Sequence, residues 1–172
     1  MSTQKKPSVK TLVILSLLTA LYIVLERFLS INAWNMRIGF AFCALACAGI
    51  LFGPVAGALV GALGDIIGML LVPTGPYFPG FTLTAALTGL VYGLFLHGKQ
   101  SVLRTVLAIL VNQIALSLFL QTLWISITYG SPYRALLPVR ITQVLVMIPL
   151  QFIVVFLFVR QLLPAVRRMI ES

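Results

Sequence analysis

The sequence predicts an all-α, polytopic membrane protein with six transmembrane helices. Of its 172 residues, 60% are hydrophobic and 9% are charged, and the mean hydropathy is +1.10. A soluble domain is about half apolar and about a quarter charged, so this chain has too few polar residues to cover a globule in water. This composition excludes a soluble enzyme, a disordered chain and a disulfide-rich secreted module. The length favours one domain, which we expect to span residues 1–172.

Six apolar runs define the expected helices, because a helix that crosses the hydrocarbon core needs about 20 mostly apolar residues. The runs end at glycine and proline pairs such as Gly53-Pro54 and Gly75-Pro76, which are typical of turns. The second run is short, and the fifth is long enough to tilt. The expected helices are residues 11–29, 39–51, 55–72, 81–96, 102–127 and 139–159.

The positions of the lysines and arginines indicate the orientation, since cytoplasmic segments carry the excess of these residues. Six helices place both termini on one side, and that side holds eight of the basic residues: Lys5, Lys6, Lys10, Lys99, Arg104, Arg160, Arg167 and Arg168. The opposite side holds four: Arg27, Arg37, Arg134 and Arg140. We therefore expect both termini in the cytoplasm, and the four outer arginines require a separate explanation.

Several kinds of chemistry are not expected. The basic residues flank apolar runs instead of forming a tract interleaved with aromatic residues, so the net charge of +9 does not indicate nucleic-acid binding. The chain has no phosphate-binding glycine-rich loop with Lys and Ser/Thr, and its one histidine falls at a turn. Cys43 and Cys47 lie one turn apart in an apolar run, which favours packing over a redox or metal role. We expect no catalytic residues, no metal site and no cofactor.

Arginines at helix ends are the first candidates for a site, because charge near the membrane interior is costly. Arg27 ends the first helix, Arg37 precedes the second and Arg140 opens the sixth. If they converge, their guanidinium groups form an outer pocket suited to carboxylates. The alternative is that each extends to the membrane interface on its own.

Polar and aromatic side chains accompany these arginines. Gln143 follows Arg140 on one face of the sixth helix, and Gln121 shares a face with Trp124 on the fifth. The loop before the fourth helix adds three rings, Tyr77, Phe78 and Phe81. Together these groups are suited to a flat heteroaromatic ligand, although an interfacial aromatic belt is the alternative. Helix–helix hydrogen bonding is the expectation for Asn112, Gln113 and Gln151.

Two further patterns favour internal structure. Asp65 is the acidic residue of a helix interior, and we expect it to pair with a hydroxyl or the backbone, the alternative being ion coupling. Small residues recur every four positions at 53–61 and 85–93, which indicates close helix packing. Ser16 and Ala20 form another small pair on the first helix.

Seven segments carry a resemblance to a known family: residues 23–31 (IVLERFLSI), 37–40 (RIGF), 52–54 (FGP), 75–83 (GPYFPGFTL), 89–93 (GLVYG), 123–124 (LW) and 140–141 (RI). In these segments the chain resembles the substrate-binding S-components of bacterial energy-coupling factor (ECF) vitamin transporters, and most closely their folate-specific branch. The resemblance covers nearly the whole chain. The helix count and the orientation do not depend on it.

The resemblance implies a multi-pass protein of the bacterial cell membrane that binds folate from outside. Its partners would be a coupling transmembrane subunit and two ATP-hydrolysing subunits, with Ser16 and Ala20 at the position of the small-residue motif that contacts the coupling subunit. The pterin ring would stack on Tyr77, Phe78, Phe81 and Trp124 and meet Gln121 or Gln143 at its edge. The glutamate tail would meet Arg27, Arg37 and Arg140.

Three alternatives remain open at this point. An S-component for pantothenate would need the carboxylate partner without the rings, and one for riboflavin would need the rings with less positive charge. A stand-alone ion-driven carrier would use Asp65 as its coupling site. An integral-membrane enzyme such as a lipid transferase is disfavoured, because three acidic residues supply no carboxylate cluster.

Overall fold

The computed structural model describes residues 9–33, 36–73, 75–98 and 100–162, and the side chains at 31–38 and 161–162 are outside this description. The elements in chain order are α1 (Val9–Arg27), β1 (Ile31–Ala33), β2 (Met36–Ile38), α2 (Phe42–Phe52), α3 (Pro54–Leu71), α4 (Pro79–Leu96), α5 (Val102–Leu110), a π-helical segment (Val111–Gln121), α6 (Thr122–Tyr129), α7 (Tyr133–Leu157) and a final π-helical turn (Phe158–Leu162).

Within the described ranges, five helical stretches are long and apolar enough to cross a membrane: Val9–Arg27, Pro54–Leu71, Pro79–Leu96, Val102–Tyr129 and Tyr133–Arg160. The predicted all-α, multi-pass membrane fold is confirmed. The sixth apolar helix, α2, is only about 16 Å long at 1.5 Å per residue, roughly half the hydrocarbon thickness. Six full crossings therefore stay a prediction, as does the side of the termini, because residues 1–8 and 163–172 lie outside the described ranges.

Two helix starts differ from the sequence expectation by three residues or more, and the others agree to within two residues. Helix α2 begins three residues later than predicted, because β1 and β2 form an antiparallel hairpin that pairs Ile31 with Ile38 and a turn follows it. Helix α7 begins at Tyr133, six residues earlier than predicted. The prediction took Pro138 as a boundary, but prolines inside membrane helices are tolerated where neighbouring groups satisfy the freed backbone.

Glycines set the distance between α2, α3 and α4. A methyl group added at Gly57 would overlap the backbone of Gly89, and one at Gly61 would overlap that of Ala85. A methyl group at Gly49 would also overlap the α4 backbone, at 2.7 Å from the Gly93 nitrogen. Close backbone approach strengthens dispersion contacts, which drive helix association where lipid is as apolar as the side chains. The predicted role of the small residues in internal packing is confirmed.

The outer surface of the bundle is apolar. Val55 and Leu70 on α3, Leu103 on α5 and Leu145 on α7 each expose more than half of their surface. On a soluble protein such faces would drive association, whereas in a bilayer the lipid tails cover them. Several polar side chains, Arg140 among them, are instead buried inside the bundle, and this arrangement places the candidate site.

Candidate functional site

A cavity of about 530 Å³ lies inside the bundle, reaching inward from the end at which α3 connects to α4. Its wall is built by the end of α1, the start of α2, the inner face of α3, the connection at 75–78, α4, the π-helical segment, α6 and α7. The shortness of α2 contributes to this space, because the helix begins at Phe42, within the wall. The volume falls in the range of small-molecule sites, about 300–1,000 Å³.

Arg140 is the most unusual group in the cavity wall. Only 3% of its surface is exposed, although it carries a positive charge. Its Nη1 donates to Gln143 Oε1 at 3.1 Å, whereas its Nε is buried without a hydrogen-bond partner among the described residues. No described carboxylate lies within ion-pair distance of it. A buried charge with one neutral partner is costly, so this position is suited to a ligand anion.

Arg27 is held differently. Its Nη2 lies 3.5 Å from Asp65 Oδ1, with both side chains largely buried. The Thr82 hydroxyl donates to Asp65 Oδ2 at 2.7 Å and lies 3.4 Å from the Tyr77 hydroxyl. The expected pairing of Asp65 with a hydroxyl is confirmed, and the structure adds an arginine partner. These contacts connect α1, α3, the α3–α4 connection and α4 in one polar network.

The aromatic residues form a cluster beside this network. The Phe78 ring lies 5.4 Å from the Trp124 ring and 6.1 Å from the Phe81 ring, centroid to centroid. Trp124 Nε1 donates to the Thr84 hydroxyl at 3.2 Å. Phe78, Phe81 and Thr84 line the cavity, whereas Trp124 packs behind them. The described contacts of Trp124 therefore support the wall, and its direct stacking on a ligand stays a prediction.

The π-helical segment determines which residues of the fifth span face the cavity. Nine residues separate Asn112 from Gln121, which is about 2.5 turns of α-helix and would put them on opposite sides. A π-helix bonds five residues back, so the same nine residues make close to two turns. Both side chains consequently line one cavity, with Ser117 between them.

A polar floor lies deeper in the bundle. Asn112 and Gln113 are 5% and 4% exposed, and Asn112 Oδ1 and Gln113 Oε1 have no hydrogen-bond partner among the described residues. Nearby, the fully buried Tyr92 hydroxyl donates to Gln151 Oε1 at 3.3 Å and lies beside the Asn112 amide. The expected helix–helix bonding appears for Gln151 but not for these two oxygens.

The structure thus brings most of the predicted site residues to one cavity: Arg27, Tyr77, Phe78, Phe81, Gln121, Arg140 and Gln143. Arg37 is placed on β2 by its backbone alone, since its side chain is outside the description. Ser16 and Ala20 do not line the cavity and are exposed on one face of α1. Sequence reasoning did not assign Asn112 and Gln113 to the site; the signal available was adjacent amides within an apolar run.

These features define a class: a multi-pass cell membrane protein with a solute-sized, polar and aromatic cavity inside its bundle. Residues 6–167 match the family described as "ECF-type riboflavin transporter, S component". The chain belongs to this S-component family of ECF-type transporters, and the resemblance noted in the sequence is confirmed. It is accordingly a subunit of a transport system and not an enzyme.

Similar proteins are named for folate. The folate transporter FolT of Clostridium novyi (strain NT) is 37% identical over 149 residues, covering 86% of this chain and 87% of the relative. FolT of Leuconostoc mesenteroides subsp. mesenteroides is 29% identical over 153 residues, covering 85% and 82%. A crystal structure of FolT bound with folic acid superimposes with a TM-score of 0.84 at 32% identity, covering 88% of this chain and 93% of that one.

Proposed function

We propose that this chain binds folate at the outer face of the membrane as the substrate-specific subunit of an ATP-driven ECF transporter. Its partners in this proposal are a coupling transmembrane subunit and two ATPase subunits. Both termini lie in the cytoplasm, and ATP is hydrolysed on the partner subunits. The observation that carries the proposal is Arg140, a buried guanidinium that faces a cavity and whose hydrogen-bond partner among the described residues is the neutral amide of Gln143.

The charge of the ligand's tail distinguishes folate from riboflavin as the substrate. The family description names riboflavin, whose sugar-alcohol tail is neutral, whereas folate ends in a glutamate with two carboxylates. A neutral tail would leave Arg140 as it is, buried beside one amide, while a carboxylate accepts hydrogen bonds from a guanidinium in a bidentate manner. The identities to two folate transporters and to the folate-bound structure point the same way.

The rings and amides of the cavity wall favour folate over pantothenate as the substrate. Pantothenate has a carboxylate but no ring, and it would leave the Phe78–Phe81 surface and the amides of the floor without a role. Folate has a flat bicyclic ring, a benzoyl ring and an anionic tail, so it addresses both the aromatic and the charged parts of one cavity. A ligand held along its whole length is consistent with about nanomolar affinity, roughly 12 kcal/mol of binding free energy.

Equilibrium binding of a vitamin panel to the purified, detergent-solubilised protein tests the substrate. We expect tight binding of folic acid and at least about 100-fold weaker binding of riboflavin and pantothenate. Mass spectrometry of the ligand that co-purifies with the protein gives an independent answer. Preferential binding of riboflavin, or an absence of folic-acid binding by a folded protein, would refute the assignment.

The contact with the coupling subunit is proposed for the small pair on α1. Ser16 and Ala20 lie one turn apart and are both exposed. The Ser16 hydroxyl donates to the Leu12 carbonyl at 2.9 Å, so its hydrogen-bonding capacity is satisfied within the helix. The face of α1 that carries these two residues therefore has small side chains and little free hydrogen-bonding capacity. Such faces permit the close helix contacts that occur in membranes.

Reconstitution tests this contact. Proteoliposomes that contain this chain with a coupling subunit and its ATPases should take up labelled folate only in the presence of ATP. Ser16→Leu should bind folate normally and lose uptake, whereas the neighbouring exposed position provides the control variant Leu17→Phe, which should retain uptake. Uptake by this chain alone would instead favour the ion-driven carrier.

A further inference from the structure

Asp65 is a buried carboxylate in the wall of the cavity that the proposed function assigns to an anionic ligand. Arg27 Nη2 lies 3.5 Å from one of its oxygens, and the Thr82 hydroxyl lies 2.7 Å from the other. A carboxylate repels the anionic part of a ligand, and here each oxygen already has a protein partner. Both facts indicate a role that Asp65 performs through its contacts within the protein.

The hydrogen bonds of this network all run toward Asp65. A carboxylate only accepts, so the Thr82 hydroxyl uses its proton to donate to Oδ2. The Tyr77 hydroxyl, 3.4 Å from Thr82 Oγ1, is then the donor of that pair. The guanidinium of Arg27 likewise has donors only. Groups from α1, α4 and the α3–α4 connection thus direct their donors toward one carboxylate, and hydrogen bonds in such a chain strengthen one another.

Two glycines beside Asp65 determine how α1 lies on α3. A methyl group added at Gly64 would overlap the Tyr22 ring. A methyl group added at Gly68 would come within 3.0 Å of Arg27 Nε. The Arg27 side chain therefore lies directly against α3, less than one helical turn from Asp65. The ion pair then selects the direction in which this long and flexible side chain points.

All of these contacts lie at the mouth of the cavity, the end at which α3 connects to α4. Arg27 is the last residue of α1, Tyr77 belongs to the connection, and Thr82 lies near the start of α4. Arg27, Asp65 and Tyr77 line the cavity. Thr82 does not line it, so any effect of its hydroxyl on a ligand must pass through the groups that it contacts.

We infer that Asp65 is a positioning residue for ligand retention, which holds Arg27 and the α3–α4 connection in place at the mouth of the cavity and thereby slows the departure of a bound solute. This inference rests on the proposed function and adds the residue that organises the mouth of that site. Asp65 acts through the groups that it orients, and Thr82 acts through Asp65 and Tyr77.

The rate at which labelled folic acid leaves the purified, detergent-solubilised protein tests the inference. Thr82→Val removes one hydroxyl outside the cavity wall and should speed dissociation at least about fivefold, as expected for the loss of a hydrogen bond to a charged group. Thr82→Ser keeps the hydroxyl and should restore a rate close to that of wild type. The matched control is Thr142→Val, whose hydroxyl donates to the Pro138 carbonyl of its own helix, and it should leave the rate unchanged.

Asp65→Asn gives a change whose sign separates positioning from charge. Removal of a negative charge from the wall would by itself slow the departure of an anion, whereas loss of positioning should speed it. In the double variant with Thr82→Val the two effects should not add, because both act through one carboxylate. Slower dissociation in Asp65→Asn would overturn the inference. So would a wild-type rate in Thr82→Val, which keeps the ion pair and is informative even if Asp65→Asn is less stable.

Hydrogen–deuterium exchange without ligand gives a readout that does not depend on the substrate. The backbone amides of Tyr77 and Phe78 should exchange faster in Thr82→Val and Asp65→Asn than in wild type and Thr142→Val. Unchanged exchange at these amides would overturn the inference even if folic acid binds. Failure of wild type to bind folic acid would instead refute the proposed function, and the exchange rates would still decide the role of Asp65.

Discussion

Neutralising Arg140 should remove most of the affinity for an anionic ligand. The change is Arg140→Gln, which keeps a polar side chain beside Gln143 and removes the charge. A unit charge about 4 Å from a carboxylate gains about 4 kcal/mol at an effective dielectric constant of 20, and loss of desolvated charge pairs in complexes costs about 2–5 kcal/mol. We therefore expect a loss of about 2–4 kcal/mol, which is roughly 30- to 1,000-fold in Kd.

The assay is isothermal titration of the detergent-solubilised protein with folic acid and with its dimethyl ester, in which both carboxylates are neutral. Wild type should bind the ester much more weakly than the acid, and Arg140→Gln should prefer the acid by a much smaller factor. The matched control is Arg134→Gln, on the same helix but exposed, which should change Kd by less than threefold.

Thermal unfolding without ligand separates binding from folding. Since Arg140 has no described carboxylate partner, its removal relieves a desolvation cost, and the unfolding midpoint of Arg140→Gln should be unchanged or higher. A variant that bound folic acid within threefold of wild type, or that still preferred the acid to the ester by the wild-type factor, would refute the reasoning.

Three other variants test the network, the packing and the rings. Asp65→Asn removes the carboxylate of a buried ion pair, so the midpoint of thermal unfolding should fall by several degrees, and an unchanged midpoint would contradict the role of the pair. Gly57→Ala should cost about 1–3 kcal/mol of stability through backbone overlap, measured by denaturation in mixed micelles, whereas the lipid-facing Leu59→Ala should have little effect. Phe78→Ala should weaken folic-acid binding about three- to tenfold, in line with aromatic pair energies, and Phe156→Ala, which changes a stacked pair outside the cavity wall, should not.

Much of the fold was predictable because lipid imposes simple requirements. Long apolar runs must be helical in a bilayer, so composition and turn residues located five spans to within a few residues. The glycine spacing likewise predicted close helix packing, and the structure shows which helices meet, with Gly57 and Gly61 of α3 against α4. What the sequence did not reveal was the hairpin of β1 and β2, since two strands of three residues each leave no periodic signal.

The site was predictable in part for a related reason. Charged groups such as Arg27 and Arg140 are conspicuous in an apolar chain, and the structure places both at the cavity. Asn112 and Gln113 were assigned to helix contacts because they lie deep in an apolar run, where a buried amide needs a partner. The structure instead turns both toward the cavity through a π-helical segment, and eleven residues of π-helix are not foreseeable from local preference.

The glycine contacts among α2, α3 and α4 bear on how a solute is selected. Where the backbones touch, no side chains lie between the helices to rearrange, so we expect the backbone on this side of the cavity to keep its position whether the cavity is full or empty. Any helix movement that accommodates a solute is then expected in α1, the fifth span and α7. A solute with an added bulky group should be excluded when the group contacts α2, α3 or α4, and should still bind when the group contacts the other helices.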